Sequence, residues 1–249
     1  MPDLTKKHSE IKELIRKRSP FNKQETDRIL NGNFATIPAE VKILVQKYQF
    51  GKKTVLDVGC EYGQSFLYWS ENSEGIEIRD RAIRFLKALN KTVHKLNVED
   101  EFLDPRVKKF DAVFNNNLIE HLVSPHLFLA RAYSILKPGG ILAIGHPIIP
   151  PLLFRKLWKL FGYHGWLGVE HINFFTPETA KLTLERAGFR IKEQYFPKAS
   201  QMHPTLGKIC APTGIRLLSI CQRVDNFKYP SKRLSEFDPS WASGLKHFR

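Results

Sequence analysis

Cysteine is scarce in this sequence: there are three in 249 residues, and Cys60, Cys210 and Cys221 stand at wide, unpatterned spacing. That excludes a disulfide scaffold and the paired spacings of a zinc site, so no metal centre is expected, and thiols of this kind belong naturally in a reducing cytoplasm. Also missing is any apolar run of signal-peptide or transmembrane length, so membrane contact is expected to be peripheral. Acid is in short supply, with 25 Asp and Glu against 39 Lys and Arg, for a formal charge of +14. Such an excess suits phosphates or anionic lipid, and equally a solvated basic surface. There is no internal repeat and no low-complexity tract. What is left is an ordinary globular composition, 42% hydrophobic and 26% charged, in a chain long enough for one full α/β domain.

From residue 54 short β-branched and apolar runs alternate with helical segments, the rhythm of a parallel sheet covered by helices on both faces. Strands are expected at Thr54–Val58, Glu74–Ile78, Thr92–Leu96, Asp111–Asn115, Ile141–His146 and Phe189–Phe196, with a further one over Ile215–Val224. One helix opens at Ser124-Pro125 and closes at Lys137-Pro138-Gly139-Gly140, and another runs from Thr176-Pro177-Glu178 to Gly188. Before residue 50 the periodicity predicts two amphipathic helices, over 5–18 and 38–48. The expected fold is thus α/β and doubly wound. It divides into a helical cap (1–50), a ligand-binding core (51–147), an insertion or lid (148–175) and a C-terminal half on the substrate side (176–249), all in one domain.

The segment TVLDVGCEYGQS carries a buried strand into a turn holding Gly59 and Gly63, and then into an expected helix near Gln64. Glycines there let backbone approach a ligand, and a helix N-terminus would turn free N–H groups into the same space. A dinucleotide fold would need G-x-G-x-x-G to seat a pyrophosphate. Instead Asp57 stands two residues before Gly59, where a carboxylate repels pyrophosphate and suits a cationic amino group. Glu77, twenty residues further on, closes the next strand, where a carboxylate accepts hydrogen bonds from both ribose hydroxyls.

This arrangement resembles motifs I and II of the class I S-adenosylmethionine-dependent methyltransferases, more particularly the ubiquinone-methyltransferase-like group acting on small molecules. The resemblance spans roughly residues 50–196 and implies a Rossmann-like, mostly parallel, seven-stranded sheet with S-adenosylmethionine as cofactor. It places Asp57, Gly59, Cys60 and Gly63 around the methionine end, and Glu77 and Ile78 at the ribose. Asn97 and Val98 fall beside the adenine, with Val98 contacting it through backbone, and Asn115 and Leu118 in FDAVFNNNLIEHL line the methionine end. LKPGGILAI matches the following helix–strand junction. The family's usual middle glycine is Glu61 here.

An activated methyl donor asks the protein mainly to align the acceptor and exclude water, and orientation alone is worth about 7–11 kcal/mol. A general base is needed only for a weakly acidic hydroxyl, and His121, His146 and His171 are the candidates. No D/N-P-P-Y/F follows the fourth strand and no Pro-Cys either, which disfavours planar nitrogens and cytosine carbon and leaves an oxygen acceptor, or less often another carbon or an aliphatic amine. Within PLLFRKLWKLFGYHGWL, Phe154, Leu157, Trp158 and Phe161 recur at helical spacing between basic residues. The expected helix over 152–161 suits either a pocket lid or an anionic membrane surface supplying a lipid acceptor. RNA, as an alternative acceptor, would use the same positive charge, and a non-catalytic cofactor-binding protein is the third reading.

Overall fold

The computed structural model describes residues 3–149, 170–197 and 216–227. Three helices come first, α1 (Leu4–Arg18), α2 (Lys23–Gly32) and α3 (Ala39–Tyr48). The Asp3 carboxylate caps α1 by accepting from Thr5 and Lys6 N–H, and Asn22 caps α2 through Glu25 N–H at 2.9 Å, each cap being worth about 1 kcal/mol. The alternation of strands and helices then gives β1 (Val55–Val58), β2 (Glu74–Glu77), α4 (Asp80–Ala88), β3 (Thr92–Lys95) and β4 (Phe110–Asn116). After these come α5 (Pro125–Ile135), β5 (Leu136–Pro147), α6 (Pro177–Arg186), β6 (Phe189–Tyr195) and β7 (Arg216–Arg223).

All seven expected strands are present. They form one sheet in the order β3-β2-β1-β4-β5-β7-β6. Strands β1 to β5 pair in parallel, while β7 runs antiparallel between β5 and β6. The chain winds outward from β1 to β3 and then crosses back to β4, so β1 and β4 flank a topological switch point. Open α/β sheets bind ligands in the crevice beyond the strand C-termini at such a point.

Apolar residues of opposite parity feed two cores, one on each face. Val55, Phe114 and Ala143 pack with α1 to α4 on one face, and Leu56, Val113 and Leu142 pack with α5 and α6 on the other. α6 starts in a capping box, Thr176 and Thr179 each accepting from the other's backbone N–H. Ser124, by contrast, makes no side-chain cap at α5. Its backbone N–H donates instead to the Glu99 carboxylate at 3.0 Å.

Two local expectations are corrected. α2 was not foreseen, because its ten residues bury only Thr26, Ile29 and Leu30, too few to set a period. No α-helix follows Gly63, where a single 3-10 turn, Phe66–Tyr68, stands instead. Phe66, Leu67, Tyr68 and Trp69 are all buried, and four consecutive buried side chains suit no amphipathic α-helix. α1 fastens this turn from outside, Lys7 Nζ donating to the Tyr68 carbonyl at 2.8 Å. The expected helix over 152–161 lies outside the described residues.

Candidate functional site

A cavity of about 760 Å³ opens at the C-terminal ends of β1, β2 and β4, over the switch point. That size suits a cofactor. Asp57, Gly59 and Cys60 form one end of its wall, and Glu77, Ile78, Asn97, Val98 and Leu118 continue it, with His121 at the far side. Among the described residues five carboxylates line it (Asp57, Glu61, Glu77, Glu99 and Glu170), against the single guanidinium of Arg79. A pocket so acidic, in a chain of charge +14, selects for a cationic ligand and against a pyrophosphate.

Asp57 is 2% exposed. As the third residue of β1 it points to the same face as Val55, where Trp69 Nε1 donates to its Oδ2 at 2.8 Å. Trp69 is itself locked edge-on against Phe50 and Phe114, each with ring centroids 5.3 Å away. Burial lifts the Asp57 carboxyl to about 7; the Trp69 hydrogen bond opposes that rise, and the nearby Glu77 and Glu61 charges add to it. A cationic group bound at Oδ1 would supply the missing counter-charge. Beside it, Cys60 is 4% exposed with its thiol pushed well up by burial, so it is no nucleophile. Its Sγ lies where a Cβ on Gly75 would be, only 2.7 Å away, so position 75 must be glycine.

Glu77 Oε1 accepts from Ile78 N–H at 2.9 Å, Arg79 N–H at 3.0 Å and Arg79 Nε at 3.2 Å, while Oε2 accepts from Glu61 N–H at 2.8 Å. A carboxylate has about four acceptor positions. Oε1 is thus fully engaged, and one direction on Oε2 stays open to a further donor. Arg79 also holds Glu61, at 3.1 Å. Glu61 has φ 47°, the left-handed region where glycine is favoured.

The remaining expected residues divide between cavity and core. Val98 lies on the wall, with its carbonyl taken by Arg131 Nη1. Asn97 is held in a local turn, its Nδ2 donating to Asp100 at 2.7 Å. Gly63 does not line the cavity. Its φ of +81° makes the turn, and a Cβ there would lie 2.7 Å from Leu86. Asn115 is fully buried on the opposite face of β4, donating to the Val58 carbonyl at 3.2 Å. Strand parity puts its neighbour Asn116 on the cavity wall, and the turn puts Asn117 there.

His146 is also corrected. It is 2% exposed, its Nδ1 lies 2.8 Å from the Pro147 carbonyl, and its ring packs on Phe175 at 5.0 Å. Burial lowers it to about 4, so it is a neutral core residue away from the cavity. His121 does reach the wall, with Nδ1 3.0 Å from the Glu170 carbonyl. His171 stacks edge-on against it at 4.9 Å, off the wall, and its buried Nδ1 has no hydrogen-bond partner. Behind them Glu120 is 1% exposed and neither oxygen has a hydrogen-bond partner; burial raises its pKa. Ligand atoms of Glu120, His121 and His171 lie within 4.8 Å of one another, the one grouping among the described residues with the donor set of a metal site. The Glu120 carbonyl accepts from Ile172 and Asn173 N–H, each at 2.9 Å. The strip from His171 is thereby stitched to the turn after β4.

Over residues 16–194, more than half of its length, the chain matches the family described as methyltransferase domain. The chain belongs to that family. Curated relatives of this methyltransferase include a tRNA U34 carboxymethyltransferase of Pseudoalteromonas translucida, 32% identical over 55% of this chain and 45% of the relative. Another is the mitochondrial ubiquinone biosynthesis O-methyltransferase of Mus musculus, 31% identical over 36% of this chain and 27% of the relative. The methyltransferase thus spans less than half the length of these relatives. Among solved structures, an S-adenosylmethionine-dependent methyltransferase from Mesorhizobium loti shares its fold with a TM-score of 0.53 at 15% identity, over 74% of this chain and 96% of the other. One from Thermotoga maritima, titled a possible histamine N-methyltransferase, gives a TM-score of 0.55 at 19% identity, over 80% and 95%. The class I methyltransferase fold expected from Asp57 and Glu77 is therefore the fold observed.

Trp69 and Arg79 were missing from the sequence reading of the site, which took in Glu99, Asn116 and Asn117 only as parts of the segments after β3 and β4. Strand parity would have found Asn116. Nothing in the spacing of Trp69 points to Asp57.

Proposed function

We propose that this chain transfers the methyl group of S-adenosylmethionine to a hydroxyl of a small or lipophilic molecule. The observation that carries the reading is the pair of buried carboxylates, Asp57 and Glu77, at the ends of adjacent strands in an acidic cavity of about 760 Å³. The cofactor supplies an activated methyl on a sulfonium. Asp57, oriented by Trp69, binds its ammonium group through Oδ1, and Glu77 Oε2 takes a ribose hydroxyl. The Val98 N–H meets the base. Charge-assisted bonds of this kind are worth about 1.5–3 kcal/mol each. His121, on the wall, is the histidine placed to accept a proton, whereas His146 is walled off.

The donor arrangement leaves the acceptor to be found. The ubiquinone biosynthesis O-methyltransferase relatives support a small or lipophilic acceptor, and a cytoplasmic or membrane-peripheral setting is part of the proposal. A second reading, transfer to RNA, is supported by the likeness to a tRNA-modifying relative and by the charge of +14. Incubation with methyl-tritiated S-adenosylmethionine and separate lipid, polar small-molecule and RNA extracts distinguishes them. Label in the lipid or small-molecule fraction is expected; label in RNA alone overturns the first reading, and bound cofactor with no label in any fraction favours the non-catalytic one.

A further inference from the structure

A second, smaller cavity of about 260 Å³ adjoins the first and shares Gln64, Asn116 and Asn117 with it. Its other walls come from the stretch leading into α3, from Glu40 in the first turn of α3, and from Arg216 at the start of β7. It holds a buried ionic pair that is incompletely satisfied. Glu40 is 7% exposed; its Oε1 accepts from Asn116 Nδ2 at 3.0 Å and lies 3.8 Å from Arg216 Nη2. That separation is too long for a hydrogen bond, and Nη2 is buried with no hydrogen-bond partner. A buried donor left in this state costs about 1–3 kcal/mol, more when charged, and a ligand oxygen would recover it.

Asn116 connects the two cavities, and the fold makes room for it. A Cβ on Gly145 would lie 2.3 Å from Asn116 Oδ1, so glycine on β5 is what lets that side chain lie between the cavities. Glu40 Oε2 makes no hydrogen bond to a described residue and offers an acceptor beside the Arg216 donor. One acceptor and one donor, side by side in a space the size of a single ring, define a ligand with the opposite pair: a hydroxyl next to an oxygen that accepts.

We propose that this annex is the methyl acceptor's binding site, where Glu40 and Arg216 together recognise a hydroxyl flanked by a hydrogen-bond-accepting or anionic oxygen. The proposal rests on the cofactor occupying the larger cavity, and it names the acceptor's polar head. Beside the polar groups, Ile37, Pro38, Ala39 and Pro197 supply an apolar wall for the carbon frame that carries them. Sites built on buried polar pairs reject analogues lacking one partner far better than apolar pockets do, because the rejected analogue leaves a polar group unpaired.

Three probes separate the two halves of the pair: salicylate has both groups, phenol lacks the flanking oxygen, and benzoate lacks the hydroxyl. Each is titrated calorimetrically into the full chain loaded with S-adenosylhomocysteine. Salicylate is expected to bind at least about tenfold more tightly than either single-group probe, a gap of about 1.4 kcal/mol. Arg216→Gln should reduce salicylate to the phenol level, and Glu40→Gln to the benzoate level. Ala39→Leu, which fills the annex without touching the charged pair, should remove binding of all three. Affinity for S-adenosylhomocysteine should stay within about twofold in every variant. Equal binding of the three probes, no binding of any to the loaded chain, or indifference to Ala39→Leu overturns the proposal while leaving the cofactor reading intact. A chain that takes up no S-adenosylhomocysteine sinks the cofactor reading first and this proposal with it.

Discussion

Asp57 on one side of the cavity and Glu120 behind the other are both carboxylates within 2% of complete burial, yet their surroundings differ sharply. Asp57 receives an indole N–H at 2.8 Å and faces open cavity with its other oxygen. Glu120 has no hydrogen bond to either oxygen, and His121 Nε2 lies 3.8 Å from its Oε1. Burying an ionised carboxylate is costly unless donors or an opposite charge offset it. The strand-end carboxylate is therefore prepared for a cation that comes and goes, whereas burial raises the pKa of Glu120, whose backbone carbonyl stitches the strip at 171–173.

The contrast predicts opposite responses to neutralisation. Asp57→Ala should lower affinity for S-adenosylmethionine by at least 100-fold, about 3 kcal/mol, with little change in thermal midpoint, because a buried charge is removed along with the ligand contact. Calorimetry and a melting curve on one sample test it; unchanged affinity would end the assignment of Asp57 to the cofactor. Because burial holds Asp57 at about 7, it is largely protonated below that pH and must ionise to pair with an ammonium group. Binding should therefore weaken as pH falls below 7 and release up to one proton near pH 6 and none above pH 8, read from calorimetry in buffers of different ionisation enthalpy.

Glu120→Gln should instead stabilise the fold by about 1–2 kcal/mol at pH 8, raising the melting midpoint by roughly 2–8 °C. The sign follows from linkage: a carboxyl raised in the folded state costs stability as pH climbs through its unfolded value. The gain should accordingly vanish at pH 4, where Glu120 is protonated in both states. Loss of stability at pH 8 would mean that the carboxylate has a cationic partner in solution. Trp69→Phe keeps the ring packing and removes one donor from Asp57. It should weaken cofactor binding about fivefold, near 1 kcal/mol, and move the pH midpoint of binding upward, since the indole N–H favours the ionised form. An unmoved midpoint would show that Trp69 only fills space. Smallest of all, Glu61→Gly relieves a left-handed backbone and frees Arg79 at some cost in chain entropy. Stability should change by no more than about 0.5 kcal/mol, with cofactor affinity within about twofold.

Much of this was legible because strands buried on both faces have an unmistakable composition, and because Asp57 and Glu77 each end such a strand. Residues whose role depends on strand parity were harder. Asn115 and Asn116 are indistinguishable by composition, and only pairing with β1 and β5 shows that Asn116 faces the cavity. His146 resembled a site residue by standing near the end of β5, but its ring turns to the α6 face and Phe175. The aromatic run at 66–69 misled for a different reason. Its glycine-led start imitates a ligand-binding helix, while its continuous burial forces a tight turn. Arg216 and Glu40, 176 residues apart in sequence, could be joined only by the sheet.

The placement of β7 bears on how the molecule is made. It is the last of the described strands in the sequence, yet it lies inside the sheet, between β5 and β6. During synthesis β6 therefore has no neighbour to pair with, and β5 keeps an open edge, until residue 223 has left the ribosome. An unpaired strand edge is a template for joining another chain. The nascent protein thus passes through a stage in which most of the cofactor's floor is in place while the sheet is still adhesive, so chaperone protection matters most between the emergence of β6 and that of β7.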